Sequence, residues 1–517
     1  MKQWTALLLL LSMGFVLLAP YKGALAAQEI GYGDVDSNGR LDAADALLVL
    51  QHSVGVRGLS AEALIRADVS DDGRINAADA LLILQRSVGL PAVFSADAME
   101  EGDEFPYFSR GASLERVDGA QGCIEYSFSG VDRSDYLSYC ALLQRKGYQR
   151  GEQNTIGGNI YAAYEGSGGL LYTYYVDSMQ IVRVVAGPIS PAREIDESQS
   201  DMRCDLTLAQ LPLSYSLGSF GMSYVVTLED GRFVMIDGGY DAAGQDHERL
   251  FQYLSVRNVR SDGIVIAAWF LTHEDADHYT AIHNFAQSYA DQVTLERFFV
   301  NTPAGSAWYT QQYLLEDLAR YGDTELVIPH TGQQFVFGGA VFEILYTHED
   351  WAPRAMQNNN ETSLVMRMTA GGQTVLWTGD IEEDASDILC SMYGRLLQSD
   401  MVQVAHHGYD PNTATKEFYR QADPSVLLWP AASSWFHSWR QSDVNRYLLF
   451  ACNISEILVA DVTVKELRLP YRPGSGLRQS IFNFTDGQFE EVPADMDDML
   501  GFIFTQVYTP EMLLAMS

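Results

Sequence analysis

The stretch GIVIAAWFLTHEDADH, residues 263–278, joins an apolar run to a short segment crowded with ionisable side chains. The unbroken apolar run at 264–271 predicts a buried strand. The last six residues, HEDADH, hold two His, two Asp and one Glu. Carboxylates this close together in a dry site repel one another unless a cation neutralises them. The stretch therefore predicts a metal site at the end of a buried strand.

Two later strands end in the same kinds of side chain. The strand QTVLWTGD ends in Asp380, and DMVQVAHHG ends in His406 and His407. Strand ends are where α/β and layered folds collect their chemistry. We therefore expect the segment 273–278 to form one site with these three residues, and we expect this site to hold two divalent metal ions.

The order of side chains within HEDADH supports a shared site. Alternate residues of an extended segment point the same way, so His273, Asp275 and Asp277 are expected to face one side. The two residues between them face the other side. A helix is expected to begin at His278, which returns that imidazole to the cluster.

HEDADH is similar to the HxHxDH signature of the metallo-β-lactamase superfamily, with Asp275 in place of the middle His. The order THEDADH, NNNETSLVMRM, VLWTGDIEEDA and VAHHG resembles the branch that includes the extracellular hydrolase domain of bacterial competence DNA-uptake proteins. The surface phosphorylcholine esterases of some bacteria belong to the same superfamily. The resemblance covers roughly residues 206–470 and implies an αββα four-layer fold with two divalent transition metals.

The resemblance also implies a role for each residue of the site. By this transfer His273 and Asp275 bind the first metal, Asp277 and His278 bind the second, Asp380 bridges both, and His406 or His407 completes the second position. Asp277 and Asp380 are the catalytic carboxylates, since Asp277 is placed to orient an activated water and accept its proton. Asp237 corresponds to a structural Asp at a strand end. Zn²⁺ is the default metal, with Mn²⁺ or Fe²⁺ as alternatives.

One departure from the pattern affects the first metal position. Many members of the superfamily have a further His upstream of the bridging Asp, and this chain has Asn358, Asn359 and Asn360 in that region. Water, His348 or Glu361 then fills the position. The missing His and the carboxylate at 275 make the site harder, which favours Mn²⁺ or Fe²⁺ more than usual.

We expect phosphodiester hydrolysis. The alternatives are ester, lactone or lactam hydrolysis, and a non-catalytic protein that binds a wall or scaffold component.

A duplicated segment lies near the N-terminus. GDVDSNGRLDAADALLVLQHSVG recurs as ADVSDDGRINAADALLILQRSVG at an offset of 34 residues. Each copy has oxygen-bearing side chains at positions 1, 3, 5, 9 and 12 of a loop, a Gly at position 6 and a backbone carbonyl at position 7, as Ca²⁺ requires. The predicted calcium ligands are Asp34, Asp36, Asn38, Arg40, Asp42 and Asp45 in the first loop, and Asp68, Ser70, Asp72, Arg74, Asn76 and Asp79 in the second.

A duplicated loop and helix with Asp at position 12 resembles the dockerin module of cellulosome-type assemblies. The resemblance covers residues 31–90. It implies a small all-α calcium-binding module with two Ca²⁺ and a cohesin domain of a scaffold protein as its partner. Both copies carry an Ala pair at loop positions 10 and 11, so the cohesin class stays open.

The rest of the chain divides by composition. We predict a signal peptide at 1–26, linkers at 91–105 and 187–204, a small α+β unit at 106–186 and a hydrolase domain at 205–517. The tyrosines of the α+β unit form either a packing surface or a carbohydrate- or wall-binding face.

The leader and the charge indicate the environment of the protein. The leader predicts a secreted protein, extracellular or associated with a scaffold or cell surface, with no membrane span after cleavage. The net charge of −35 disfavours stable nucleic-acid binding. The resemblance to the competence and phosphorylcholine branches implies a small-molecule or cell-surface phosphoester as substrate. Of the five cysteines, Cys123 and Cys140 form a disulfide or all are free.

Overall fold

The computed structural model describes most of the chain. The described residues are 32–70, 74–90, 92, 94, 113–118, 123–166, 169–187, 195–197, 201–212, 221–241, 244–303, 306–351, 358–409, 411–483, 488–492 and 506–516. The predicted signal peptide at 1–26 and the predicted ligand Asp72 lie outside them. The chain divides into two compact units, Met1–Asp103 and Glu104–Ser517. Within the described part of the chain, we find no helix with the length and hydrophobicity to span a membrane.

The first unit is all-α, as predicted. Its helices are α1 Ala43–Ser53, α2 Ala61–Ala67 and α3 Ala77–Ser87. Asp42 and Asn76 cap α1 and α3, and each helix start is closed by a capping box with the Asp at loop position 12. Helices α1 and α3 pack together over a small apolar core. Phe94, inside the predicted linker 91–105, is buried in that core, so the unit extends past residue 90.

The second unit opens with a six-stranded antiparallel sheet and one helix, which agrees with the α+β unit expected here. The helix is α4 Arg133–Arg145. The strands are β1 Ser113–Asp118, β2 Ile124–Ser129, β3 Gln149–Ile156, β4 Asn159–Gly166, β5 Gly169–Val176 and β6 Ile181–Gly187, in the order β1-β2-β6-β5-β4-β3.

Two larger sheets form the remainder. The nine-stranded sheet contains β7 Ile195–Glu197, β15 Gln334–Phe337, β16 Ala340–Tyr346, β17 Val365–Ala370, β18 Gln373–Trp377, β19 Met401–Gln403, β20 Val426–Trp429, β21 Glu456–Val459 and β25 Val507–Tyr508. The ten-stranded sheet contains β8 Thr207–Gln210, β9 Tyr224–Thr227, β10 Phe233–Ile236, β11 Ile264–Phe270, β12 Val293–Leu295, β13 Arg297–Phe299, β14 Glu325–Val327, β22 Val464–Arg472, β23 Ser475–Asn483 and β24 Gln488–Glu491.

Helices cover the outer face of each large sheet. Those on the ten-stranded sheet are α5 Asp246–Arg257, α6 Ala276–Tyr289 and α7 Leu315–Tyr321. Those on the nine-stranded sheet are α8 Glu383–Tyr393, α9 Lys416–Ala422, α10 Ser433–Trp439, α11 Asp443–Ala451 and α12 Pro510–Ala515. The inner faces of the two sheets meet in a third core that includes Phe270, Phe342 and Trp377. The predicted αββα four-layer fold is therefore confirmed.

One face of the six-stranded sheet packs against the four-layer domain. Its tyrosines are buried there: the hydroxyl of Tyr172 donates to Thr331 O at 2.8 Å, and that of Tyr174 donates to Asp350 Oδ1 at 3.0 Å. These tyrosines are a packing surface rather than a wall-binding face. Part of the predicted linker 187–204 is also structured, because β7 pairs with β15 of the nine-stranded sheet. All five cysteines fall within the described residues and are free thiols.

Candidate metal centre

The segment HEDADH lies at the carboxyl end of β11, as predicted. Helix α6 begins at Ala276, with Asp275 as its N-cap, so Asp277 and His278 lie in the first helical turn. This start is two residues earlier than the sequence suggested. Glu274 points away from the cluster: it is buried and accepts hydrogen bonds from Thr302 Oγ1 at 3.0 Å and from the backbone N–H of Tyr309 at 2.6 Å. It therefore anchors a neighbouring loop.

The carboxylate of Asp380 lies at the centre of four imidazoles. Its Oδ2 atom is 3.0 Å from Nε2 of His407 and 3.2 Å from Nε2 of His278. The Nε2 atoms of His273 and His406 both lie 3.9 Å from the same oxygen. The three strand ends that the sequence singled out thus meet at one buried carboxylate.

Four of the predicted ligands form a tighter group. Asp277, His278, Asp380 and His407 each offer one ligand atom, and these atoms lie within 4.8 Å of one another. Asp277 Oδ2 is 3.0 Å from Nε2 of His407 and 3.8 Å from Nε2 of His278. Its side chain is 15% exposed, against 2% for Asp380, so Asp277 faces the solvent side of the group. Two carboxylates and two imidazoles suit a divalent transition metal.

The orientation of two imidazoles is fixed from outside the group. His278 Nδ1 lies 2.6 Å from Oδ2 of the buried Asp237, and His407 Nδ1 lies 2.9 Å from Pro430 O. Both partners are acceptors, so each Nδ1 carries a proton, and Nε2 is the nitrogen that each ring directs toward Asp380 and offers to a cation. Asp237 is itself held by two hydrogen bonds from Thr272 at 2.7 Å. It is thus placed to orient a ligand, as its position at a strand end suggested.

The residues expected at the first metal position are more loosely arranged. His273 Nδ1 meets the hydroxyl oxygens of Thr272 at 3.2 Å and Ser363 at 3.3 Å. Its Nε2 is 3.7 Å from Asp275 Oδ2. Asn359 donates from Nδ2 to Asp275 Oδ1 at 3.0 Å, so that amide presents a donor to the site.

Neither side chain suggested as a substitute ligand takes that position. His348 Nε2 is 2.8 Å from Asn301 Oδ1, and burial lowers the pKa of His348 to about 4. Glu361 caps α8, where it accepts the N–H groups of Glu382 at 3.2 Å and Ala385 at 3.0 Å. Among the described contacts, neither residue touches the cluster. Both expectations are wrong because these side chains satisfy buried backbone or amide groups elsewhere.

The charges and unpaired atoms of the cluster fit a bound cation. Burial opposes protonation of His407, but Asp380 and Asp277 outweigh it and raise the pKa of that imidazole to about 9. Within the described part of the chain, His273 Nε2, His278 Nε2 and Asp380 Oδ1 are buried without a hydrogen-bond partner. Buried polar atoms of this kind need an explanation, and a shared cation supplies one. The donor set therefore fits a divalent transition metal.

Sequence reasoning missed two supporting residues. Ser363 Oγ accepts the backbone N–H of Asp380 at 3.0 Å. The Gln403 side chain accepts the N–H of Thr378 at 2.8 Å and donates to Gly379 O at 3.0 Å, which holds the turn before Asp380. A polar Gln within the apolar strand MVQV was a signal that this residue had a specific partner.

The first unit contains the predicted calcium loops. In the first loop Asp34, Asp36 and Asp45 each offer an oxygen within 4.8 Å of the others. Of the remaining residues, Asn38 Oδ1 accepts the N–H of Arg40 at 2.8 Å, and Asp42 Oδ1 accepts the N–H of Ala44 at 2.7 Å.

The second loop repeats part of this arrangement. Ser70 Oγ donates to Asp79 Oδ1 at 2.7 Å, and Asn76 Oδ1 accepts the N–H of Ala78 at 2.7 Å. Asp68 lies 3.4 Å from the Ser70 hydroxyl, and Arg74 O accepts from Asn76 Nδ2 at 3.2 Å. Their role as Ca²⁺ ligands stays a prediction.

Comparison with known protein families matches these two regions. Residues 32–86 match the dockerin type I domain, and residues 217–429 match the metallo-beta-lactamase superfamily. The chain carries a dockerin type I domain and a metallo-beta-lactamase domain. The resemblances to the dockerin module and to the metallo-β-lactamase superfamily are thereby confirmed. The metallo-beta-lactamase match spans HEDADH, Asp380 and the HHG loop, so the geometric cluster lies inside that domain.

Solved structures of this fold are similar to the chain only weakly. The metallo-beta-lactamase fold protein YhfI from Bacillus subtilis is 14% identical, covering 44% of this chain and 85% of that chain, with a TM-score of 0.30. Zn²⁺-bound PqqB from Methylobacterium extorquens is 12% identical over 38% of this chain and 71% of that chain, with a TM-score of 0.27. CmlA, a diiron beta-hydroxylase from Streptomyces venezuelae, is 12% identical over 44% of each chain, with a TM-score of 0.28. Likenesses at this level carry no argument about activity. Comparison with curated proteins gave no match.

Proposed function

We propose that this protein is a secreted metal-dependent hydrolase of phosphodiester bonds, tethered through its dockerin domain to a cohesin-bearing scaffold. The observation that carries the proposal is the convergence of His273, His278, His406 and His407 on one oxygen of Asp380. Imidazoles gathered around a buried carboxylate, with two further carboxylates beside them, form a ligand set for two divalent ions. Zn²⁺ is the default occupant, and Mn²⁺ or Fe²⁺ are the alternatives.

The residues of the cluster divide the work of hydrolysis. When bound, divalent cations lower the pKa of water and offset the negative charge that develops on the substrate. Asp277, at the solvent side of the cluster, is placed to orient the attacking water and to take up its proton on the carboxylate. Asp380 is buried between the residues expected at the first cation position and those expected at the second. Asp237 accepts a hydrogen bond from Nδ1 of His278, so Nε2 is the nitrogen that this ring offers to a cation.

Two features favour a phosphodiester over an ester, lactone or lactam. The position usually held by the middle His of the signature is occupied by Asp275, which gives the site a third carboxylate. The region of the upstream His carries asparagines, whose amides donate to the cluster. Oxygen-rich sites select harder cations, and these suit phosphoryl oxygens.

The charge of the chain narrows the substrate. A net charge of −35 repels polyanions at long range, which disfavours a long nucleic acid. A small-molecule or cell-surface phosphoester is repelled much less strongly.

The dockerin domain supplies the tether. Dockerin domains bind cohesin domains of scaffold proteins, and here α1 and α3 expose matching apolar side chains. These are Leu47 and Leu50 on α1 with Val54 directly after it, and Leu81 and Leu84 on α3 with Val88 directly after it. The two sets are related by the repeat of 34 residues, so either helix offers the same surface to a partner. The predicted leader at 1–26 supports secretion into the compartment where such scaffolds act.

The substrate class is tested with a panel of model compounds. Purified full-length protein, loaded with Zn²⁺ or Mn²⁺, is assayed on bis-p-nitrophenyl phosphate, on phosphorylcholine esters and on nitrocefin. We expect hydrolysis of a phosphodiester that is lost in Asp277→Asn and kept in Asp241→Asn, which alters a buried carboxylate outside the cluster. Hydrolysis of nitrocefin alone would contradict the proposed chemistry. A phosphodiesterase rate unchanged by Asp277→Asn would remove the proposed site.

A further inference from the structure

The first metal position lacks a nitrogen ligand where the superfamily often supplies one. The residues in that region, Asn359 and Asn360, direct amide groups at Asp275 and Glu382. Only His273 and Asp275 are then specific to this position, with Asp380 shared between the two positions. A divalent ion held by so few protein atoms is weakly bound unless another side chain contributes.

The HHG loop brings a second imidazole to the cluster. His406 and His407 both have left-handed backbone conformations, with φ values of 46° and 56°. Successive side chains of an extended segment point in opposite directions. The paired left-handed residues instead direct both rings at Asp380, with ring centroids 5.9 Å apart. Left-handed conformations are uncommon outside Gly and tend to mark functional sites when the surrounding structure enforces them.

The surrounding structure does enforce this loop. His406 N donates to Gly379 O at 3.2 Å, and Trp429 Nε1 donates to His407 O at 2.8 Å. Gly408 follows with a φ of 74°, and a Cβ atom there would lie 2.3 Å from the Trp429 ring. The loop is therefore tied to the turn before Asp380 on one side and to β20 on the other.

The tautomer of His406 suits a metal ligand. Its Nδ1 lies 2.7 Å from Asn412 O, a carbonyl that can only accept, so Nδ1 carries the proton of the neutral ring. Its Nε2 then holds the lone pair, 3.9 Å from Asp380 Oδ2 and 3.4 Å from the donor Nδ2 of Asn360. His278 and His407 are oriented in the same way, through Asp237 and Pro430. Glu382 Oε1, 3.4 Å from His406 Nδ1, supports the same orientation.

We propose that His406 completes the first cation position with His273, Asp275 and Asp380, while His407 belongs to the second. Both histidines of the HHG loop are then used, and His406 replaces the ligand that the asparagines do not provide. The inference rests on the two-metal site proposed above. His273 and His406 lie 3.9 Å from Asp380 Oδ2, whereas His278 and His407 lie 3.2 and 3.0 Å from it, so the ion of the first position is the more weakly held and the first to be lost.

The test counts metal ions rather than turnover. Full-length protein is freed of metal, kept in excess Ca²⁺ to occupy the dockerin loops, and titrated with Co²⁺. Bound Co²⁺ per chain is measured by elemental analysis, and its visible absorption reports the coordination of each ion. We expect two ions in the wild type, the weaker of which is lost or bound more than about tenfold less tightly in His406→Asn. Asn tolerates the left-handed backbone, so the loop is kept.

Two further variants make the result decisive. His407→Asn is expected to weaken the tighter ion, and His437→Asn, a histidine on α10 outside the cluster, is expected to bind both ions as the wild type does. Wild-type binding of both ions by His406→Asn would overturn the assignment, as would simultaneous loss of both ions with an unchanged thermal unfolding midpoint. One ion in the wild type would also overturn it. Two ions without phosphodiester hydrolysis would leave this assignment standing and refute the proposed function instead.

Discussion

The Asp237→Asn substitution tests how the second cation position is held. Asp237 is fully buried and accepts three hydrogen bonds, from His278 Nδ1 at 2.6 Å and from the backbone N–H and hydroxyl of Thr272 at 2.7 Å. Asn has the same shape and tolerates the φ of 53° found here. The substitution therefore removes one acceptor and the negative charge without changing the backbone.

The size of the effect follows from these contacts. If the new NH₂ group faces His278, that ring must accept at Nδ1 and carry its proton on Nε2. The Nε2 lone pair that would bind the cation is then lost. Loss of such an orienting partner weakens metal binding by about 10- to 100-fold, or about 1.4 to 2.8 kcal/mol. We expect this loss in a chelator competition assay with Zn²⁺ or Co²⁺, together with a lower thermal unfolding midpoint.

A matched variant separates metal binding from stability. Asp241→Asn breaks a similar buried pair, since Asp241 Oδ2 lies 2.5 Å from His247 Nδ1, but this pair is not part of the cluster. We expect it to lower stability and to leave metal affinity unchanged. If the metal affinity is unchanged in Asp237→Asn, or falls equally in both variants, Asp237 does not orient His278 for metal binding.

Three other predictions concern separate parts of the chain. Chelation of Ca²⁺ should unfold the dockerin domain and abolish cohesin binding, because ion binding and folding of such loops are coupled. The double substitution Asp45→Ala and Asp79→Ala should have the same effect. Cohesin binding that is retained in excess EDTA would contradict this. Although burial opposes it, the neighbouring carboxylates raise the pKa of His407 to about 9 and also raise the pKa of His278, so a cation must displace protons at neutral pH. Apparent metal affinity should therefore rise by at least about tenfold per pH unit between about pH 6 and 8, and a flat profile by calorimetry would be inconsistent with this. Arg183→Met should lower the free energy of unfolding of the second unit in urea by about 3 to 5 kcal/mol, because it leaves the buried Glu125 without its ion-pair partner at 2.8 Å. Adding Glu125→Leu should recover most of this loss.

The sequence was sufficient for the layers of the fold and for the main cluster. Apolar strands that each end in His or Asp are a local pattern, and the carboxyl ends of neighbouring strands meet at one edge. That reasoning placed His278, Asp380 and His407 together, and the structure has their contacting atoms 3.0 to 3.2 Å apart. Side-chain alternation likewise separated Glu274 from its neighbours.

The remainder depended on contacts between distant parts of the chain. His348 contacts the Asn301 side chain, and Glu361 accepts N–H groups at the start of α8. No local sequence pattern reveals these contacts. The docking of the six-stranded sheet depends on bonds such as that from Tyr174 to Asp350, 176 residues apart. The left-handed conformations that bring His406 to Asp380 are enforced by packing on Trp429 and could not be read from the letters HHG.

Metal reconstitution followed by hydrolysis in the same sample tests directly whether the His and Asp cluster is a metal-dependent phosphodiesterase site. Metal-free protein is titrated with Zn²⁺ or Mn²⁺ while release of p-nitrophenol from bis-p-nitrophenyl phosphate is recorded, in the wild type and in Asp380→Asn. We expect hydrolysis to rise with bound metal, to saturate when the cluster is filled, and to stay at background in the variant. Hydrolysis that is unaffected by removal of metal, or a variant as active as the wild type, would contradict it.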